Sequence, residues 1–107
     1  MKFPKIVTLC GSTKFKDQFV KSNLEETLAG NIVLSIGCDM KSDKEIFGHL
    51  TKARLRKIKA RLDVLHFHKI SMSDEILVLN VGGYIGESTE REIEYAKSTG
   101  VKVRYLE

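Results

Sequence analysis

The clearest chemical content of this 107-residue sequence lies between Ser73 and Ala96. A largely apolar run at 76–81 opens into a glycine-rich turn with Gly82, Gly83 and Gly86, then into a helix start at Ser88 and Thr89, with Glu92 one turn further on. A strand, a flexible loop and a helix N-terminus in that order build a ligand crevice at the carboxyl edge of a parallel sheet. A carboxylate at such a place can serve as nucleophile or electrostatic stabiliser, and the helix dipole is expected to keep it ionised. Thr89-x-x-Glu92 also matches a capping box, in which the glutamate reaches back to a backbone N–H and does no chemistry. Taken alone the capping box is favoured; the glycine-rich loop before Glu92, Ser88 and Thr89 beside it and the first-strand loop across the crevice favour chemistry.

A second constellation is Gly11, Ser12, Thr13 and Lys14, which follows another apolar run. It offers a glycine for close backbone approach, two hydroxyls, a helix N-terminus and one cation, a sensible oxyanion cradle. The spacing is not that of a P-loop, which needs an earlier glycine and a Gly-Lys pair. Asn80, Gly86, Ser88 and Thr89 fall on the same edge and complete the expected binding set with Gly11 to Lys14. Asp74 precedes its strand and belongs to the opposite edge, with a structural task at the strand entry. His66 and His68 point to different sides of a helix, and with Asp63 they lack metal-ligand spacing, so no metal is expected.

The elements that must position these residues alternate. Residues 5–9 read as a strand, and 13–29 as a helix with Phe15, Phe19, Val20, Leu24 and Leu28 at helical spacing and Gly30-Asn31 as its stop. Residues 32–36 form a second strand closed by Gly37. Residues 42–73 are helical in pattern, capped by Ser42 or Asp43 and expected to break near 61–64. A strand at 75–81, a helix at 89–99 stopped by Gly100 and a strand at 101–105 complete the order. Such alternation predicts an α/β fold: one domain over 1–107, a three-layer sandwich with a small parallel sheet of the flavodoxin or Rossmann type and helices on both faces.

Composition agrees with a globular chain, at 42% hydrophobic and 30% charged residues with a single proline. No apolar run approaches the length of a membrane span and no secretion signal is recognisable, so a cytoplasmic location is expected. Cys10 and Cys38 read as reduced, packing thiols. The net charge of +4 is uneven: residues 51–69 carry seven Lys or Arg against Asp63, leaving −2 elsewhere. Without aromatic residues inside that run, a solvated helix face is favoured over nucleic-acid binding.

Leu9-Cys10-Gly11-Ser12, together with Ser88-Thr89-Glu90-Arg91-Glu92-Ile93-Glu94-Tyr95-Ala96, resembles the nucleoside 2-deoxyribosyltransferase superfamily, including the 2′-deoxynucleoside 5′-phosphate N-hydrolases. The resemblance implies that Glu92 attacks the anomeric carbon of a deoxyribosyl group, with Gly11, Ser12 and Lys14 on the sugar or its 5′-phosphate. It implies a nucleoside or nucleotide ligand, a homodimer and no cofactor. The sequence departs from the family at its catalytic aspartate, where His66 stands with Asp63 one turn earlier; a histidine there is a candidate general acid. Gly86 stands where the hydrolases have a phosphate-contacting serine. The departures leave a second expectation, a nucleotide-binding or sensing module of the same fold without catalysis.

Overall fold

The computed structural model describes residues 3–36 and 48–107. In chain order they form β1 (Ile6–Cys10), α1 (Lys16–Leu28), β2 (Ile32–Leu34), α2 (Lys52–Ser71), β3 (Glu75–Val78), a 3₁₀ turn (Val81–Gly83), α3 (Glu87–Ser98) and β4 (Lys102–Tyr105). The four strands pair in parallel throughout, in the order β2-β1-β3-β4. β1 and β3 are central and read as unbroken apolar runs because both of their faces are covered. Alternation along them divides the core. Val7, Leu9, Leu77 and Leu79 pack with Phe19 of α1, whereas Cys10, Ile76 and Val78 pack with Ile70 of α2 and with Ile93 and Ala96 of α3. The result is the expected three-layer α/β sandwich, with α1 on one face and α2 and α3 on the other.

Several boundaries differ from the sequence expectation. α2 is one unbroken helix of 20 residues, because nothing between 52 and 71 is glycine or proline and Thr51 caps its start by accepting the Arg54 N–H at 3.2 Å. Gly37, Ser42 and Asp43 lie outside the described residues. α1 starts at Lys16 instead of Thr13: Phe15 N–H donates to the Ser12 carbonyl at 3.0 Å, closing a turn ahead of the helix. The apolar stripe of α1 is only in part its buried face. Phe19 and Ser22 face the sheet, while Val20, Leu24 and Leu28 are exposed, Leu28 by 78%. β3 stops at Val78, short of the expected 81, because the chain turns at Val81–Gly83, where Gly82 and Gly83 take positive φ of 63° and 82°.

At the strand entries, Asp74 accepts the Ile6 N–H at 2.7 Å, the structural task expected of it. Beside it, the buried Glu75 carboxylate meets Lys5 Nζ and Arg104 Nε, each at 3.0 Å, and Arg104 continues to Glu26 of α1. Burial alone would push Glu75 up, but the hydrogen bonds and charges of Lys5 and Arg104 outweigh it and hold the carboxyl below its usual range. This network ties β1, β3, β4 and α1 together at the edge away from the loops.

Candidate functional site

The carboxyl ends of β1 and β3 are neighbours, and from them the chain leaves toward opposite faces, the switch point at which open α/β sheets hold ligands. A cleft of about 720 Å³ lies there. Gly11, Ser12 and Thr13 come from the loop after β1, Asp63, His66 and Lys69 from α2, and Gly86, Ser88, Thr89 and Glu92 from the start of α3. Six of the eight expected binding residues therefore line one cleft, with both expected catalytic residues.

The other two do not. Lys14 places its ammonium 3.5 Å from the ring centroid of Tyr84, and Phe15 meets the same ring edge-on at 5.9 Å, so the cation is spent on an aromatic face at the rim. Asn80 clasps the chain near Glu107, donating from Nδ2 to its carbonyl at 3.0 Å and accepting its N–H at 2.9 Å. Both follow their strands in sequence, but each side chain is claimed by a neighbour, Lys14 by Tyr84 at the rim of the cleft and Asn80 by Glu107.

Glu92 does not complete a capping box. α3 begins at Glu87 with Gly86 as its N-cap, and no side chain caps it, so Thr89 is the helix's third residue and is buried. The Glu92 side chain, 14% exposed, instead sets Oε1 3.5 Å from His66 Nε2. The expectation that the dipole keeps it ionised is also corrected. Burial dominates and outweighs the hydrogen bond with Cys10; the weaker charges of Asp63, which raises, and Arg91, which lowers, follow, and the pKa stands at about 7. His66 moves the other way, to about 4, through burial and then the Lys69 ammonium. Near neutral pH the imidazole is thus uncharged in the free protein, not the protonated acid expected of it.

Cys10, expected from the sequence only to pack, does more. It is the last residue of β1, and alternation turns its side chain to the α2 and α3 face, where Sγ sits 3.4 Å from His66 Nε2. Burial, then the Glu92 carboxyl, raises this thiol well above its ordinary range. The signal was available: a period of two from Val7 and Leu9 puts Thr8 and Cys10 opposite them. Tyr84, Lys69 and Arg91 also line the cleft, and only Tyr84, between the loop glycines, could have been picked from sequence. Arg91 donates to Ser88 Oγ at 3.2 Å.

Gly11 has a packing reason as well. A Cβ there would stand 3.1 Å from Leu79 Cβ, so the missing side chain lets β1 and β3 exit side by side. The N–H groups of Glu87, Ser88 and Thr89 precede the first intrahelical bond, Glu90 N–H to the Gly86 carbonyl at 2.9 Å. They are available to a ligand acceptor at the cleft. The basic residues from Lys52 to Arg61 on α2 are exposed, and Lys59 among them borders the cleft. His68 is exposed and does not join His66. Among the described residues no helix is long and apolar enough to cross a membrane. Compared with known protein families and with curated protein sequences, the chain gives no match in either.

Proposed function

We propose that the cleft cleaves or transfers the N-glycosidic bond of a deoxynucleoside or deoxynucleoside 5′-monophosphate, with Glu92 as nucleophile. The observation that carries this reading is a half-buried carboxylate in a cleft at the sheet's switch point, tuned to about pH 7 and touching a second titratable group. In the resting pair the proton sits on Glu92. Passing it to His66 Nε2 creates both functional forms at once, a carboxylate and an imidazolium. Glu92 then attacks the anomeric carbon as the carbon–nitrogen bond breaks, and His66 returns the proton to the departing base. Water or a second base displaces Glu92 from the glycosyl-enzyme, the retaining two-step logic of glycoside chemistry. Ser12, Ser88 and the α3 N-terminus supply donors for the sugar or a 5′-phosphate. No cofactor enters the scheme.

Incubation with deoxynucleosides and their monophosphates, followed by chromatography for free base, is the test. Glu92→Ala should lower the rate by about a thousandfold or more; equal rates in the two proteins would sink the mechanism. The uncharged His66 favours one alternative, a nucleotide-binding module without catalysis, whose signature is calorimetric binding and no product. The same proposal includes a homodimer, supported by the exposed Val20, Leu24 and Leu28 and checked by light scattering.

A further inference from the structure

Independently of that reading, we infer that Cys10 Sγ, His66 Nε2 and a Glu92 carboxylate oxygen form a three-ligand site for a zinc-class divalent cation, with the fourth position open to the cleft. The three atoms come from β1, α2 and α3 and lie within 4.8 Å of one another, the only such group of three among the described residues. Zinc takes thiolate at about 2.3 Å and imidazole nitrogen or carboxylate oxygen at about 2.0–2.2 Å in tetrahedral geometry. Those lengths fix the tetrahedron's edges at about 3.6 Å from sulfur to nitrogen and about 3.4 Å from nitrogen to oxygen. The protein has 3.4 Å and 3.5 Å at those edges. A metal could therefore enter with small side-chain adjustments.

Charge balance points the same way. Cys10 is fully buried and His66 nearly so, a setting hostile to a lone charge. A dication with one thiolate, one carboxylate and one neutral imidazole sums to zero. The ligand set of one sulfur, one nitrogen and one oxygen suits a borderline-soft cation over calcium or magnesium, which take oxygen alone. The ligands come from a strand and two helices, and three protein ligands with an open fourth position is not the pattern of a closed structural site, which has four. The cation would take the His66 Nε2 lone pair through which the glycosyl reaction moves its proton, so metal binding and that reaction exclude each other.

Cobalt(II) serves as the probe, titrated into reduced protein and followed by absorption. The expected result is one equivalent bound, with visible bands of tetrahedral intensity and a near-ultraviolet thiolate-to-cobalt charge-transfer band. Cys10→Ser should remove the charge-transfer band, Cys38→Ser should keep it, and Glu92→Gln should weaken binding at least tenfold while retaining the band at saturation. Zinc should displace cobalt and raise the melting temperature of the parent protein. A parent protein giving only weak octahedral bands, or a charge-transfer band that survives Cys10→Ser and disappears in Cys38→Ser, overturns the site. If Cys10→Ser does not fold, Glu92→Gln decides: undiminished cobalt affinity in that variant refutes the assignment.

Discussion

Glu92→Gln should make the protein more stable above neutral pH and leave it unchanged in acid. The carboxyl's pKa is raised from 4.5 to about 7 by burial, so the folded state binds this proton more tightly than the unfolded chain does. The stability it contributes is fully present below the unfolded value near 4.5 and is lost as pH rises through about 7. A gap of about 2.5 units at about 1.4 kcal/mol each amounts to about 3 kcal/mol. Glutamine keeps the shape of the protonated acid and has no charge to bury. The variant and the parent should therefore coincide near pH 4 and separate by about 3 kcal/mol near pH 8.5. At an ordinary urea dependence of about 1–3 kcal/mol per molar, that is a midpoint shift of about 1–3 M. His66 contributes the opposite slope, lost as pH falls from 6.5 through about 4, but it is common to both proteins and drops out of the difference at the ends. Urea unfolding followed by circular dichroism, with a chelator present, measures it. Parallel stability curves across this pH range, or a glutamine variant less stable at pH 8.5, would refute the claim that burial governs this carboxyl.

Three further outcomes follow from the fold. Arg104→Ala leaves Glu75 with Lys5 alone and should cost about 2 kcal/mol at neutral pH. Because Glu75 is held below its usual range, that penalty should shrink as pH falls through the carboxylate range, as urea midpoints at pH 7 and pH 3 will show. Gly11→Ala forces a methyl group to within 3.1 Å of Leu79 Cβ and should lower stability by about 1–3 kcal/mol, read as a drop in melting temperature. Thr51→Ala removes the one side-chain cap of α2, and about 1 kcal/mol with it, visible by the same melts.

The sequence carried the architecture because its signals were local. Apolar runs ending in glycine located β1 and β3, and Gly30 and Gly100 marked the ends of α1 and α3 through their positive φ. The cleft residues followed from one topological rule, that side chains just past parallel strands converge. What failed were questions of side-chain destination. Lys14 and Asn80 sit where the rule puts them but are held by Tyr84 and the Glu107 backbone, partners that only the fold brings near. The stripe Phe15, Phe19, Val20, Leu24 and Leu28 marked a helix without marking which side of it meets the sheet: Phe19 does, and Val20, Leu24 and Leu28 do not. The capping box failed by three residues of helix start, a shift within the ordinary uncertainty of boundaries yet large enough to change what Glu92 does. The proton affinities of Glu92 and His66 were out of reach because they depend on burial, and burial depends on three elements meeting.

Lys69 makes two parts of the molecule answer to each other. Its ammonium donates to the carbonyl of Ser35 beyond β2, lines the cleft and disfavours a second positive charge on His66. One donor thus serves a backbone acceptor and an electrostatic field. An anionic ligand that recruits this ammonium must compete with the Ser35 carbonyl, and by linkage whatever fixes or frees the exit of β2 alters the affinity for that anion by the same factor.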